Sequence, residues 1–151
     1  MNLRLKIPPA IVAFIFGTAM WAIARYTDWL EFGGSLRYAG FVFLLAGAVF
    51  GFFALLSFYR KRTSIDPHKP EKASVLITDG LYSVSRNPMY LGLLLLLIAY
   101  GFYLGSLLSL LVIPFFVWYM NRWQIEPEEE VMLEKFGEEY RKYRSEVRRW
   151  L

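Results

Sequence analysis

The sequence predicts an all-α, polytopic membrane protein: four transmembrane helices, the last two forming a tight hairpin, followed by a C-terminal amphipathic helix. Three observations predict it. The 151 residues are 56% hydrophobic with a mean hydropathy of +0.35, too little polar surface to coat a soluble domain of that size. Three runs carry no charge: Ile7 to Ala24 (18 residues), Tyr38 to Tyr59 (22 residues) and Pro88 to Asn121 (34 residues). Every charge falls between or outside these runs, where lysine and arginine cluster unequally.

The first run, extended to a span of about 7–25, follows a basic start at Arg4 and Lys6. With Ala22-Ile23-Ala24 at its end it resembles a cleaved signal peptide. Trp21, Pro8-Pro9 and three later spans favour a retained helix instead. The second run gives a span of about 38–59. Its Gly40, Gly47 and Gly51 lie on one helix face and permit close helix approach, either within the chain or in a homo-oligomer through Gly47 and Gly51.

The third run is too long for one crossing. As a single helix it would be roughly 50 Å, against a hydrocarbon core of roughly 30 Å, so it folds into two arms of about 88–104 and 106–122. Gly101, Gly105 and Ser106 mark the turn, and Pro114 is expected to kink the second arm. Asn87 reads as an N-cap and Pro88 as a first helical residue, with Arg86 reaching toward lipid phosphate. Both polar flanks of the hairpin then meet on one membrane face. From Pro127, apolar Val131, Met132, Leu133, Phe136, Tyr140, Tyr143, Val147 and Trp150 recur at helical spacing against a basic face, giving an amphipathic surface helix or two broken near Gly137.

Charge placement sets the orientation. Of 17 Lys and Arg, two precede the first span, six lie between Arg60 and Arg86, and seven lie from Arg122 onward. Only Arg25 and Arg37 flank the short loop that holds Asp28 and Glu31. By the positive-inside rule both termini and the long middle loop are cytoplasmic. Tyr26, Trp29, Tyr38, Tyr59, Tyr103, Trp118 and Trp123 fall near span ends, as interfacial aromatics do. The pI of 9.4 follows from this topology and from attraction to anionic membrane lipids, so no nucleic acid is implied.

Several chemistries are excluded. The chain has no cysteine for a disulfide or thiol nucleophile. No Asp, Glu, Lys or His lies within a span, which argues against proton-coupled transport. Nothing has metal-ligand spacing, and no dinucleotide or phosphate-loop glycine pattern occurs. His68, the one histidine, reads as a solvated loop residue within Asp66-Pro67-His68-Lys69-Pro70.

Two motifs remain, at residues 79–92 and 126–143. The first reads Gly80-Leu81-Tyr82-Ser83-Val84-Ser85-Arg86-Asn87-Pro88-Met89-Tyr90-Leu91-Gly92; the second holds Glu126, Glu128, Glu129 and Glu130 and continues to Phe136-Gly137-Glu138-Glu139-Tyr140 and Tyr143. Four glutamates in five positions exceed what capping a helix dipole requires. In order and spacing this pattern resembles the isoprenylcysteine carboxyl methyltransferase and phospholipid methyltransferase superfamily of integral membrane enzymes, over about residues 79–151.

The resemblance implies methyl transfer from S-adenosylmethionine to a lipophilic acceptor entering from the bilayer, either the carboxylate of a prenylcysteine-like molecule or the amine of a phospholipid-like one. By position, Gly80, Leu81, Tyr82, Arg86, Asn87, Pro88, Tyr90, Glu129 and Glu130 would line the cofactor, with Arg86 and Glu129 nearest the chemistry. Asn87 stands where many members have histidine, which weakens a prenylcysteine substrate. The chemistry of the cofactor agrees with these residue types: acids for its ammonium, an arginine for its carboxylate, aromatic faces for adenine and sulfonium. Glu130, Arg86 and Tyr82 or Tyr90 are the expected partners, and Gly92, one turn above the motif, is expected to flank the acceptor's path. A nicotinamide enzyme of the sterol-reductase kind and a non-catalytic membrane adaptor are the alternatives.

Overall fold

The computed structural model describes residues 5–27, 34–61 and 74–151. The expectations for Arg4, Asp28, Trp29, Glu31 and the His68 loop lie outside the described residues. Within them the secondary structure is helical: α1 (Pro9–Tyr26), α2 (Ala39–Lys61), α3 (Pro88–Leu104), α4 (Leu107–Leu110), α5 (Ile113–Tyr119) and α6 (Glu126–Glu146), with short 3₁₀ turns at Gly34–Tyr38 and Gly80–Ser83. Pro9 and Pro88 start α1 and α3, where a missing N–H costs nothing. By length and composition two helical stretches suffice to cross a membrane, Pro9–Tyr26 and Gly34–Lys61; α3 is a shorter apolar helix of 17 residues.

The hairpin turn forms where the sequence places it. Gly105 adopts the left-handed conformation (φ 69°), and its N–H closes α3 by donating to the carbonyls of Gly101 and Phe102. Ser106 then caps α4, its hydroxyl accepting from the Ser109 N–H.

The second arm departs from the expectation. It is not one helix over 106–122: α4 is a single turn, the chain breaks at Leu111 and Val112, and α5 restarts with Pro114 in its first turn. Proline explains the break, since it has no N–H for the Leu110 carbonyl and its ring excludes that carbonyl from a regular turn. Nor does the arm end at 122. It passes through a π-helical turn (Met120–Ile125) directly into α6, so the acidic cluster extends a helix that begins in the hairpin. As the sequence indicated, α6 kinks at Gly137 (φ 52°).

Glycine contacts hold α2 to α3. A Cβ on Gly92 would lie 3.0 Å from the Gly47 carbonyl oxygen and 3.0 Å from the Gly51 nitrogen; one on Gly47 would meet Gly92 oxygen at 3.0 Å. Gly40 sits equally close to Ala99 and Phe102. These contacts bear on two expectations. Gly47 is taken up by α3 of the same chain, while the Cβ direction of Gly51 is open, and Gly92 lies in a helix–helix contact rather than beside an acceptor path. Val12, Met20, Leu97, Phe116, Met120, Tyr90 and Ile125 form the main buried cluster. A smaller one, Ala54, Ile77 and Tyr82, underlies the Gly80 turn. Large apolar side chains point outward elsewhere, among them Phe14, Phe41, Leu45, Phe52, Phe115 and Trp118.

Candidate functional site

Four pieces of chain converge at the base of the hairpin: the segment 84–87, the first turn of α3, α6, and the tail after Glu146. Val147 is extended (φ −119°, ψ 134°), which reverses the tail across the loop. There the Arg86 N–H donates to the Arg148 carbonyl at 2.9 Å, and the Ser85 hydroxyl and Asn87 Nδ2 donate to the Arg149 carbonyl at 3.3 and 3.0 Å. Asn121, on the π turn, pins the tail by accepting from Trp150 Nε1 at 3.0 Å and Arg149 Nη1 at 3.4 Å.

At the centre is Glu129. Arg86 Nη2 donates to its Oε1 at 2.7 Å, and Arg149 Nη2 to its Oε2 at 2.7 Å. The Arg86 and Glu129 side chains are only 9% and 8% exposed. Burial by itself would raise the Glu129 carboxyl, but the Arg149 hydrogen bond and the two guanidinium charges outweigh it and hold the group below the usual carboxylate range. Arg86 also donates through Nη1 to the carbonyls of Arg144 and Val147, at 2.9 Å each, and so satisfies the C-terminal end of α6. Its Nε is buried with no partner.

Glu128 is the second acid. It accepts from Tyr90 OH and from Gln124 Nε2, the latter at 2.7 Å. Burial pushes its carboxyl up to about 7 against those two hydrogen bonds, and the charge of Glu129 pushes the same way. Two adjacent carboxyls thus differ in ionisation because one has two arginines and the other has none. Beside them the Tyr143 hydroxyl donates to the Tyr82 carbonyl at 2.7 Å, tying α6 to the Gly80 turn.

A cavity of about 80 Å³ lies among these groups, lined by Tyr82, Arg86, Asn87, Glu128, Glu129 and Met132 with their apolar neighbours. A second, of about 300 Å³, is lined by Phe53, Arg60, Gly80 and Leu81.

Of the residues singled out from sequence, Tyr82, Arg86, Asn87 and Glu129 share the first cavity, and Gly80 and Leu81 border the second. Pro88 is buried as the start of α3, and Tyr90 takes part through Glu128. Three placements are corrected. Glu130 is exposed and outside the cavity lining, because it is turned away from the face that carries Glu128 and Glu129. Arg86 is spent on Glu129 and on α6 rather than reaching outward. The Asn87 side chain makes no capping bond and holds the tail instead.

Sequence reasoning missed Glu128, Gln124, Asn121, Tyr143 as a tether, and Arg149. A signal existed for part of this, since Gln124, Glu128 and Met132 stand four apart. No group of three or more His, Cys, Asp or Glu with metal-binding geometry occurs among the described residues.

A family model described as phospholipid methyltransferase matches residues 36–139. A protein of Haemophilus influenzae carried as uncharacterised is 48% identical over 63 residues, 42% of this chain and all of that one. Two enzymes named protein-S-isoprenylcysteine O-methyltransferase also align over 79 residues, or 52% of this chain. The Schizosaccharomyces pombe protein is 32% identical over 34% of its length, and the Saccharomyces cerevisiae protein 37% identical over 33%. The chain spans about a third of the length of these two yeast proteins.

Proposed function

The chain belongs to the phospholipid methyltransferase family, and from that premise we propose that it is an integral membrane enzyme moving a methyl group from S-adenosylmethionine to a lipophilic acceptor at the cytoplasmic face. The observation that carries this reading is the adjacent pair Glu128 and Glu129, one near neutrality and one held ionised, in a cavity with Arg86 at the hairpin base. The donor set suits the amino-acid end of the cofactor. Glu128 has no arginine of its own and receives the ammonium, while the unpartnered buried Nε of Arg86 faces a need for an acceptor such as the carboxylate. At about 80 Å³ the cavity is below the roughly 300–1,000 Å³ of small-molecule sites, so it takes that end alone unless the cleft widens.

When bound, the cofactor supplies a sulfonium methyl that an in-line nucleophile removes. The protein's own part is alignment and exclusion of water, done by a site locked through Glu129, Arg86 and the tail. For an amine acceptor the departing proton goes to a base other than Glu128, which holds the ammonium; for a carboxylate no base is needed.

The membrane placement rests on the outward apolar side chains and on the exposed Tyr26, Tyr38, Tyr59 and Tyr103 near helix ends. In this reading α1, α2, α3 and the α4–α5 arm all cross, and both termini are cytoplasmic. Single cysteines at Ser35 and Ser145 are then labelled from opposite sides of sealed vesicles, and labelling from one side rejects the topology.

Binding should depend on pH. Glu128 is largely protonated below about pH 7, so affinity for S-adenosylmethionine falls as pH drops through that value, toward about tenfold per unit. Titration calorimetry across pH 5.5–8.5 should show this slope in the native protein and a flat, weaker profile in Glu128→Gln. Exposed Glu138→Gln should keep the slope. A flat native profile removes Glu128 from the ammonium's contacts. Turnover is tested by supplying labelled S-adenosylmethionine with a native lipid extract; label found only in water-soluble products rejects the lipophilic acceptor.

A further inference from the structure

A separate cavity lies at the other end of α2 and α3 from the carboxylates. It is about 750 Å³, within the roughly 300–1,000 Å³ of small-molecule sites, and is bordered by Arg37, Tyr38, Phe41, Leu44, Leu96 and Tyr103. From Phe41 to Phe58, which borders the carboxylate cavity, α2 rises by about 25 Å, so the two sites face opposite ends of the helix pair.

We propose that this cavity holds one anionic phospholipid of the leaflet opposite the methyl-transfer site. Arg37 is exposed and has no ion pair or hydrogen bond among the described residues, a charge in want of an anion at the edge of an apolar trough. Phe41, Leu44, Leu96 and Ala99 make the trough, and acyl chains satisfy it as protein side chains do not. The banks are stiff. Tyr38 stacks on Phe41 with centroids 6.3 Å apart, and Tyr100 on Tyr103 at 6.2 Å, so aromatic pairs stand on both sides at headgroup level. The floor is narrow because Gly40 lets α2 touch Ala99 and Phe102.

An amphiphile with one anionic head matches this order of charge, aromatic rim and apolar floor. A second copy of the chain matches it less well, because every acid among the described residues, from Asp79 to Glu146, lies toward the carboxylate end. Asp28 and Glu31, in the adjoining segment, would lower affinity for an anion rather than create it. The inference uses the membrane placement but not the methyl-transfer reading.

Native mass spectrometry of the full chain tests it, with phosphatidylglycerol and phosphatidylcholine of identical acyl chains offered together. Phosphatidylglycerol should be retained at least fivefold over phosphatidylcholine, and Arg37→Gln should bring the ratio near one. Arg25→Gln, at the other side of the same loop, should leave the ratio unchanged. S-adenosylmethionine affinity should be the same in Arg37→Gln as in the native chain, which separates failure here from failure of the enzymatic reading. Equal retention of both lipids by the native chain overturns the proposal, as does an unchanged ratio in Arg37→Gln. So does glycerol phosphate bound as tightly as the lipid, or a lipid-free dimer that Arg37→Gln dissociates.

Discussion

Gly92→Leu is expected to abolish the fold. The first atom added at Gly92 already stands 3.0 Å from the Gly47 oxygen and from the Gly51 nitrogen and 3.3 Å from Gly51 Cα, all backbone atoms of α2 that no rotamer change can move. Even Gly92→Ala should cost about 1–3 kcal/mol by overpacking, and leucine must separate two helices along their main contact. Gly51 supplies the control. A Cβ there meets nothing within 4 Å, so Gly51→Ala should be neutral or should gain up to about 1 kcal/mol of helix propensity. Thermal unfolding in detergent distinguishes the three variants. A native-like melting temperature for Gly92→Leu would mean that α2 and α3 do not meet as described.

The second large effect is expected at Glu129. Removing its charge leaves Arg86 buried and Arg149 partly buried without their anion, a loss of about 3–5 kcal/mol for a broken buried pair. Glu129→Gln should therefore lower stability sharply and eliminate methyl transfer, whereas Glu138→Gln, which breaks the exposed pair with Arg141, should do neither. Replacing Arg86 and Glu129 together by methionine and leucine should recover only part of the stability, since Arg149 and the Arg144 and Val147 carbonyls lose their partners, and none of the activity. If that pair of changes keeps activity, the cluster is only structural.

The pH signs follow. Glu129 is held below its ordinary range, so its contribution is complete above the unfolded value of about 4.5 and is lost as pH falls through the lower folded value. Glu128 works in the opposite sense. The folded state favours its protonated form, so stability declines as pH rises from about 4.5 to about 7 and then levels off. Urea titrations of Glu128→Gln should lack that decline.

What could be read in the sequence was mostly what backbone geometry demands of a residue type. Pro88 as a helix start, Gly105 and Ser106 as the hairpin turn and Gly137 as a break follow from conformational limits that neighbours do not alter. Pro114 signalled trouble in the second arm but not its extent: the chain breaks before the proline and then continues as helix through Ile125. The glycine stripe on α2 announced a close neighbour without saying which, and the answer, Gly92, lies on another helix 41 residues beyond Gly51.

The choice between Glu128 and Glu130 depends on rotation about the α6 axis, about 100° per residue, and that rotation is inherited from the π turn upstream. Arg149 had no local signal at all. It reaches Glu129 because the tail reverses at Val147, and nothing in Arg148-Arg149-Trp150 indicates the partner.

The π turn at Met120–Ile125 carries a consequence for how chains of this fold diverge in length. Its hydrogen bonds span five residues, as from the Glu126 N–H to the Asn121 carbonyl, so it stores one residue more than a regular turn would. A homologue lacking one residue there can tighten to ordinary α geometry and keep Glu128, Glu129, Tyr140 and Tyr143 in phase with the hairpin. The same deletion between Glu130 and Phe136 has no slack to draw on and swings Tyr143 about 100° away from the Tyr82 carbonyl it now holds. Single-residue gaps among relatives should therefore collect between Tyr119 and Glu126, and the helix beyond should tolerate substitution but not a change of length.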